Sequence, residues 1–339
     1  VEAQAPRAIV LSGQVDGTLD DLRDGDLRWE DFLREGDGFS AVARSPDEIT
    51  NILFSSGTTG DPKALPWTHI HPIKCGADAH YHQDVHPGDV VAWPTNLGWM
   101  MGPWLIYAAF LNRATMALYY GAPTERGFGE FIRDAEVSML GVIPSMVRTW
   151  RGTGCLEGID FSAIRAFSAT GECSNAEDMH YLMALSGYRP ILEYCGGTEL
   201  AGGYLLSTLV KPVAPSTFNS ATLGTDLVIL DEAGEVCDSG EVFLLPPAIG
   251  MSSQVLDCDH HEVYYADVPG LHEVQLRRHG DQVERLSPGH YRVHGRADDT
   301  MNLGGIKVSS AEIERVVNGI DGVVETAARC RWETGTSTE

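Results

Sequence analysis

Several signatures are missing from the 339-residue chain, and each absence removes a class of protein. There is no CxxC pair, and the seven cysteines, at 75, 155, 173, 195, 237, 258 and 330, are odd in number. A zinc cage and a disulfide framework are therefore not expected, and a reducing, intracellular compartment fits best. No stretch approaches the roughly 18 apolar residues needed to cross a membrane. Basic residues are scarce: 24 Lys and Arg stand against 48 Asp and Glu, a formal charge of −24. That balance repels a phosphate backbone and excludes extended nucleic-acid binding, so any polyanionic ligand needs a local basic pocket. No GxSxG elbow, GxGxxG fingerprint or GxxxxGK[ST] loop occurs. The opening VEAQAPRAIVL lacks the basic start and apolar core of a signal peptide, and a start at Val1 leads us to expect a missing upstream segment.

What is present is 43% hydrophobic and 21% charged, the balance of a globular enzyme. From about residue 49 to 200, β-rich runs (ITNILF, DVVAWP, TMALYY, VSMLGVIP, AIRAFSAT, PILEYC) alternate with the helical stretches GPWLIYAAFLNRA and SNAEDMHYLMAL. This alternation predicts an α/β fold, a mostly parallel sheet with flanking helices. Between 222 and 295, Gly-containing turns separate alternating strands, the pattern of a small antiparallel or barrel-like β subdomain. After Arg296, Ser309 and Glu312 have capping-box spacing before the helix AEIERVV. The polar end CRWETGTSTE has no apolar period, so a domain opening near 299 buries no core of its own. The expected division is 1–48, 49–221, 222–298 and 299–339.

The richest segment is SSGTTGDPK, Ser55 to Lys63, directly after NILF. Small residues admit a polyphosphate close to the backbone, hydroxyls hydrogen-bond to it, and Lys63 adds a compact positive charge. Alone, such a cluster also describes a plain surface loop. Three further blocks follow: CGGTEL at 195–200, HGD at 279–281 and GRADDTMNLGGIK at 295–307. In this order the four blocks resemble the adenylate-forming superfamily of acyl-CoA synthetases, luciferases and peptide-synthetase adenylation domains. The wording is most similar to plant-type acyl-activating enzymes related to acetyl- and acetoacetyl-CoA synthetases, over roughly residues 45–320.

The resemblance implies ATP-dependent activation of a carboxylic acid to an acyl-adenylate, then thioester formation with CoA, using ATP, Mg²⁺ and CoA. By it, Ser55, Ser56, Gly57, Thr58, Thr59, Gly60 and Lys63 would hold the β- and γ-phosphates, and Thr198 and Glu199 would meet the α-phosphate and Mg²⁺. Asp281 would accept the ribose hydroxyls, Arg296 would contact the nucleotide, and SATGE, with Gly171 and Glu172, would line the adenine pocket. Trp99 would line the acyl pocket, and Asp298 would be the hinge about which a C-terminal domain swings. The catalytic assignments are thus Lys63, Thr198 and Glu199. The family context also makes 1–48 the tail of a mostly absent N-terminal subdomain and 299–339 the start of a truncated α+β C-terminal domain. The cytoplasm or a peroxisome is the implied location.

Departures qualify the resemblance. Cys195, with Tyr194 before it, stands where the family commonly has a ring over adenine, so stacking is weakened or supplied differently. Gly196 replaces the tryptophan of acetyl-restricted relatives, which opens the acyl pocket and predicts that acetate is a poor substrate. Lys307 replaces a common arginine and loses its planar fork. The family's adenylation lysine lies about a hundred residues past the hinge, beyond this chain. A catalytically incomplete ATP- or acyl-adenylate-binding remnant, and a ligase loading a carrier-protein thiol, therefore stay open beside the acyl-CoA synthetase. The runs HYHQDVH (His80, His82, His86) and DCDHHE (Asp257 to His261) lack a recognised ligand spacing and read as surface loops.

Overall fold

The computed structural model describes residues 9–10, 24–33, 36, 38, 40–55, 63–271, 274–297, 300–303, 306–318, 320, 322–323 and 326–327. The chain divides into two compact units, Val1–Arg44 and Ser45–Glu339. In the first, β1 (Ile9–Val10) pairs in parallel with β2 (Leu27–Arg28), which runs into one helical turn, α1 (Trp29–Phe32).

The second unit begins with an antiparallel hairpin, β3 (Ile49–Ser55) and β4 (Lys63–Thr68), in which Ser55 lies opposite Lys63. ITNILF was expected among the strands of the parallel sheet; it forms this separate hairpin instead. Its alternate side chains point outward, Phe54 being 64% exposed, as suits a ribbon covered on one face only. There follow α2 (Ile70–Tyr81), β5 (Val90–Ala92), α3 (Met101–Leu111), β6 (Thr115–Ala117), α4 (Arg126–Asp134), β7 (Met139–Val142), α5 (Pro144–Thr153), β8 (Ala166–Ala169), α6 (Ala176–Leu185), β9 (Ile191–Gly197) and β10 (Gly202–Leu206). The six strands from β5 to β10 form one sheet in the order β10-β9-β8-β7-β5-β6, parallel except for the edge pair β9–β10. The mostly parallel α/β architecture is as expected.

Both faces of this sheet are covered. Leu140 and Val142 join Phe128, Ile132, Val147, Trp150, Met179 and Leu182 from α4, α5 and α6 on one side. Met139 faces the other way, with Cys75, Ala79, Trp104 and Leu105 from α2 and α3. The strands are apolar on both faces because each side carries helices. α5 starts with Pro144 in its first turn and stops at the left-handed Gly154; α6 is opened by Asn175, whose side chain accepts from the Glu177 amide. A buried ion pair ties α2 to the sheet edge. Lys74 Nζ lies 2.6 Å from Asp78 Oδ1, and the other Asp78 oxygen accepts from the Gly203 amide at 2.9 Å.

β11 (Asp226–Leu230), β12 (Ser239–Leu245), β13 (Arg277–Ser287) and β14 (His290–Arg296) make a four-stranded antiparallel meander, with the short α7 (His260–Tyr264) between β12 and β13. This is the antiparallel region expected from the Gly-punctuated pattern. The hairpin β15 (Thr300–Leu303) and β16 (Ile306–Ser309) and the helix α8 (Ser310–Asn318) end the described secondary structure. No described helix is long and apolar enough to cross a membrane.

Candidate functional site

In open α/β sheets ligands gather beyond the carboxyl ends of the strands. Here the segments leaving β8 and β9 carry Thr170–Glu172 and Thr198–Glu199, and the antiparallel meander brings β13 and β14 against them. Thr198 to Leu200 form a single 3₁₀ turn. Its carbonyls are fixed from two sides: Trp67 Nε1, fully buried on β4, donates to Thr198 O at 2.8 Å, and the Ser252 amide donates to Glu199 O at 2.7 Å. The turn is thereby joined to the hairpin that bears Lys63.

His279 sits between two carboxylates. Its Nδ1 lies 3.3 Å from Glu199 Oε1 and its Nε2 lies 3.3 Å from Asp281 Oδ2, while its ring packs 4.4 Å from that of Tyr204. Asp281 is held further by the Tyr204 hydroxyl at 2.8 Å, the Cys195 thiol at 3.4 Å and Arg296 Nη1 at 3.1 Å. Burial alone would raise its pKa, but the charge and hydrogen bonds of His279, the Arg296 charge and the Tyr204 hydroxyl outweigh it and bring it to about 2. Asp281 is thus a firmly ionised acceptor with most of its roughly four lone-pair positions taken.

The other expected residues fall as follows. Lys63 heads β4, its Nζ 5.6 Å from the centre of the Tyr264 ring, and Asp257 fastens the next residue by accepting the Ala64 amide at 3.1 and 3.2 Å. Asp257 lies exposed in a loop, as expected, and from there it anchors the hairpin. Ser55 faces Lys63 across the ladder, while Ser56, Gly57, Thr58, Thr59, Gly60 and Asp298 lie outside the described residues. Gly171 adopts φ +97°, and Glu172 turns its carboxylate to Ser145 at the start of α5. Tyr194 gives Cys195 no substitute ring at the site: it is buried on the other side of β9 against Trp104, with centroids 5.9 Å apart. At Gly196 a Cβ would overlap the Gly202 carbonyl oxygen of β10, so the glycine answers a close approach of backbone. Trp99 is 70% exposed in the turn before α3.

His279, Tyr204, Arg277 and Tyr264 were not singled out from sequence. The first was legible only as a letter of the HGD block; the aromatic partners are supplied by strands and helices remote in the chain. Among the described residues no group of three or more His, Cys, Asp or Glu could hold a metal. The donor set, one carboxylate of Glu199 beside the Thr198 turn, suits an Mg²⁺ that arrives on phosphate oxygens and keeps its waters. A separate recess of about 270 Å³ lies at the carboxyl ends of β5 and β6, walled by Trp93, Tyr119, Phe128 and Phe131. An aromatic run, Trp93–Trp104–Tyr194, leads from it back to β9.

Comparison with known proteins gives the family. The family model of the AMP-binding enzymes matches residues 4–249. The chain belongs to the AMP-binding enzyme family. It is 50% identical to the probable acyl-activating enzyme 17, peroxisomal, of Arabidopsis thaliana and 48% identical to hexanoyl-CoA synthase of Cannabis sativa, in each case over 97% of this chain and 47% of that protein. The chain thus spans about half the length of these curated relatives. Among solved structures, acetoacetyl-CoA synthetase from Streptomyces lividans superposes with a TM-score of 0.82 at 27% identity, over 94% of this chain and 50% of that one.

Proposed function

We propose that this chain carries the nucleotide-binding half of an AMP-forming acid–thiol ligase, which joins a carboxylic acid to CoA by way of an acyl-adenylate. The observation that carries the proposal is the convergence of Glu199, His279, Asp281 and Arg296 on the turn after β9, beside the hairpin that presents Lys63. Asp281 would take the ribose hydroxyls. Because Arg296 and Cys195 already occupy its oxygens, a nucleotide would displace one of them, and Arg296, on the rim, is the more easily moved. Lys63, Ser55 and the segment between them would hold the terminal phosphates, with Thr198 and Glu199 at the α-phosphate and its Mg²⁺. The substrate is MgATP. Catalysis by these residues would consist of positioning the acid in line with the leaving pyrophosphate and neutralising phosphate charge.

The acid is proposed to be longer than acetate. Gly196 puts no side chain beside Thr198, and one relative is named a hexanoyl-CoA synthase. The change from a parallel sheet to an antiparallel meander supports a boundary near 222, and the separate hairpin after Arg296 supports another near 298. Peroxisomal residence, the location named for the Arabidopsis relative, is part of the same proposal.

The test is calorimetric titration of the chain with ATP and Mg²⁺, alongside pyrophosphate release with acetate, hexanoate and an aromatic acid, with and without CoA. ATP binding that is lost in both Lys63→Ala and Glu199→Ala supports the site. Acid- and CoA-dependent pyrophosphate release, greater with hexanoate than acetate, supports the activity. Absence of ATP binding in the unaltered chain overturns the assignment.

A further inference from the structure

One strongly basic side chain near this site has no acidic partner. Arg277, at the start of β13, is 1% exposed. Its guanidinium lies over the Tyr264 ring at 4.0 Å and donates to Ser252 Oγ at 2.7 Å; its Nε has no partner, and it makes no ion pair among the described residues. A stacked aromatic ring and one hydroxyl leave the buried guanidinium charge without a counter-ion and its Nε without an acceptor, an arrangement that is unfavourable in a folded interior unless something anionic arrives.

Its surroundings indicate where an anion would come. Arg277, His279 and Asp281 are alternate residues of β13, and each reaches β9 or the turn after it: Asp281 touches Cys195 on β9, His279 touches Glu199 in the turn, and Arg277 binds Ser252, whose amide binds the Glu199 carbonyl. The three follow one another along β13, which bulges against β12 at the left-handed Gly280. Asp281 stands at the end where the ribose is proposed to lie. At the other end Arg277 shares the ring of Tyr264 with Lys63, so two cations flank one phenol at the mouth of the Ser55–Lys63 hairpin. In a chain of net charge −24, two positive side chains on one ring, with Glu199 also acting on that ring, are a local concentration of the charge a polyphosphate requires.

We propose that Arg277 is a further ligand of the pyrophosphate end of ATP, binding the β- and γ-phosphates and then the departing pyrophosphate. The inference rests on the nucleotide reading above and deepens it. Arginine suits the position because its fork can meet two phosphate oxygens while its plane stays stacked on Tyr264.

Binding of ATP, AMP and inorganic pyrophosphate to the whole chain tests this without turnover. Arg277→Met is expected to weaken ATP and pyrophosphate tenfold or more and to leave AMP within twofold, because AMP lacks the groups Arg277 would hold. Arg277→Lys, which retains charge but loses the fork, is expected to fall between, and it serves alone if circular dichroism shows the methionine variant unfolded. Equal loss of ATP and AMP, or no change in either, overturns the role of Arg277 while leaving the nucleotide site standing. If the unaltered chain binds neither nucleotide, the site and the role of Arg277 fall together.

Discussion

The carboxylate of Glu172 closes the first turn of α5 by accepting the Ser145 amide at 3.0 Å and the Ser145 hydroxyl at 2.9 Å. α5 has no side-chain cap of its own, since Ile143 precedes it and Pro144 opens it, so an acidic residue from the loop after β8 satisfies a free amide and meets the positive helix end. Glu172→Ala should therefore cost about 1 kcal/mol of unfolding free energy, the ordinary worth of a lost cap. ATP affinity should change less than threefold if capping is its main role. Urea unfolding and nucleotide titration of the same variant check this; a large loss of affinity with unchanged stability would restore Glu172 to the adenine pocket.

Gly196 offers a second contrast. Sequence comparison casts it as the absence of a tryptophan that would shorten the acyl pocket, but the backbone leaves no room even for a methyl group: a Cβ meets the Gly202 carbonyl oxygen and the Gly203 Cα across the irregular β9–β10 pair. Gly196→Ala should destabilise the fold by about 2 kcal/mol, within the range for overpacking, before acid selectivity is altered. Thermal melting of the alanine variant is the check. An unchanged melting temperature with a narrowed acid range would return Gly196 to a role in specificity alone.

The β-rich runs were readable because sheets covered on both sides demand continuous apolar strands, and all but one of them landed in the parallel sheet. ITNILF did not, since its period-2 pattern is equally that of a half-covered hairpin, and its partner KALPWT was hidden by Pro66, a residue that counts against a strand. The motif letters of the site were legible for the same reason that they are motifs: the turn after β9 and the HGD segment each lie within a few residues. The remainder of the cluster is built from long-range contacts. Asp257 reaches the Ala64 amide across 193 residues, and Arg277 finds Tyr264 only because α7 folds back onto β13. Local pattern carries no trace of such pairings, so neither contact is legible in the sequence.

Three buried groups, His71, His82 and Glu193, pull stability in opposite directions as pH changes, two against one. Burial lowers His71 and His82 from 6.5 to about 4. It raises Glu193 from 4.5 to about 7 despite hydrogen bonds from Ser174 Oγ and the Ser216 amide. Between pH 4.5 and 6.5 the folded chain keeps a proton on Glu193 and none on the two histidines, whereas the unfolded chain has lost the first and holds the other two. Of these three groups the unfolded state then holds one proton more, so together they make stability rise with pH through that window by about 1.4 kcal/mol per unit. From 6.5 to 7 only Glu193 of the three differs, and its contribution has the opposite sign, lowering stability as pH rises. Glu193→Gln, whose carbonyl can accept the same two hydrogen bonds, should remove the opposing proton. Between pH 4.5 and 6.5 the slope should be more positive than in the unaltered chain by about 1.4 kcal/mol per unit, the fall contributed by Glu193 above 6.5 should vanish, and the variant should be the more stable by about 3 kcal/mol at pH 8. Urea titrations at half-unit pH steps measure all three; identical slopes in the two proteins would mean that Glu193 is ionised in the fold and that its burial is offset by a partner beyond Ser174 and Ser216.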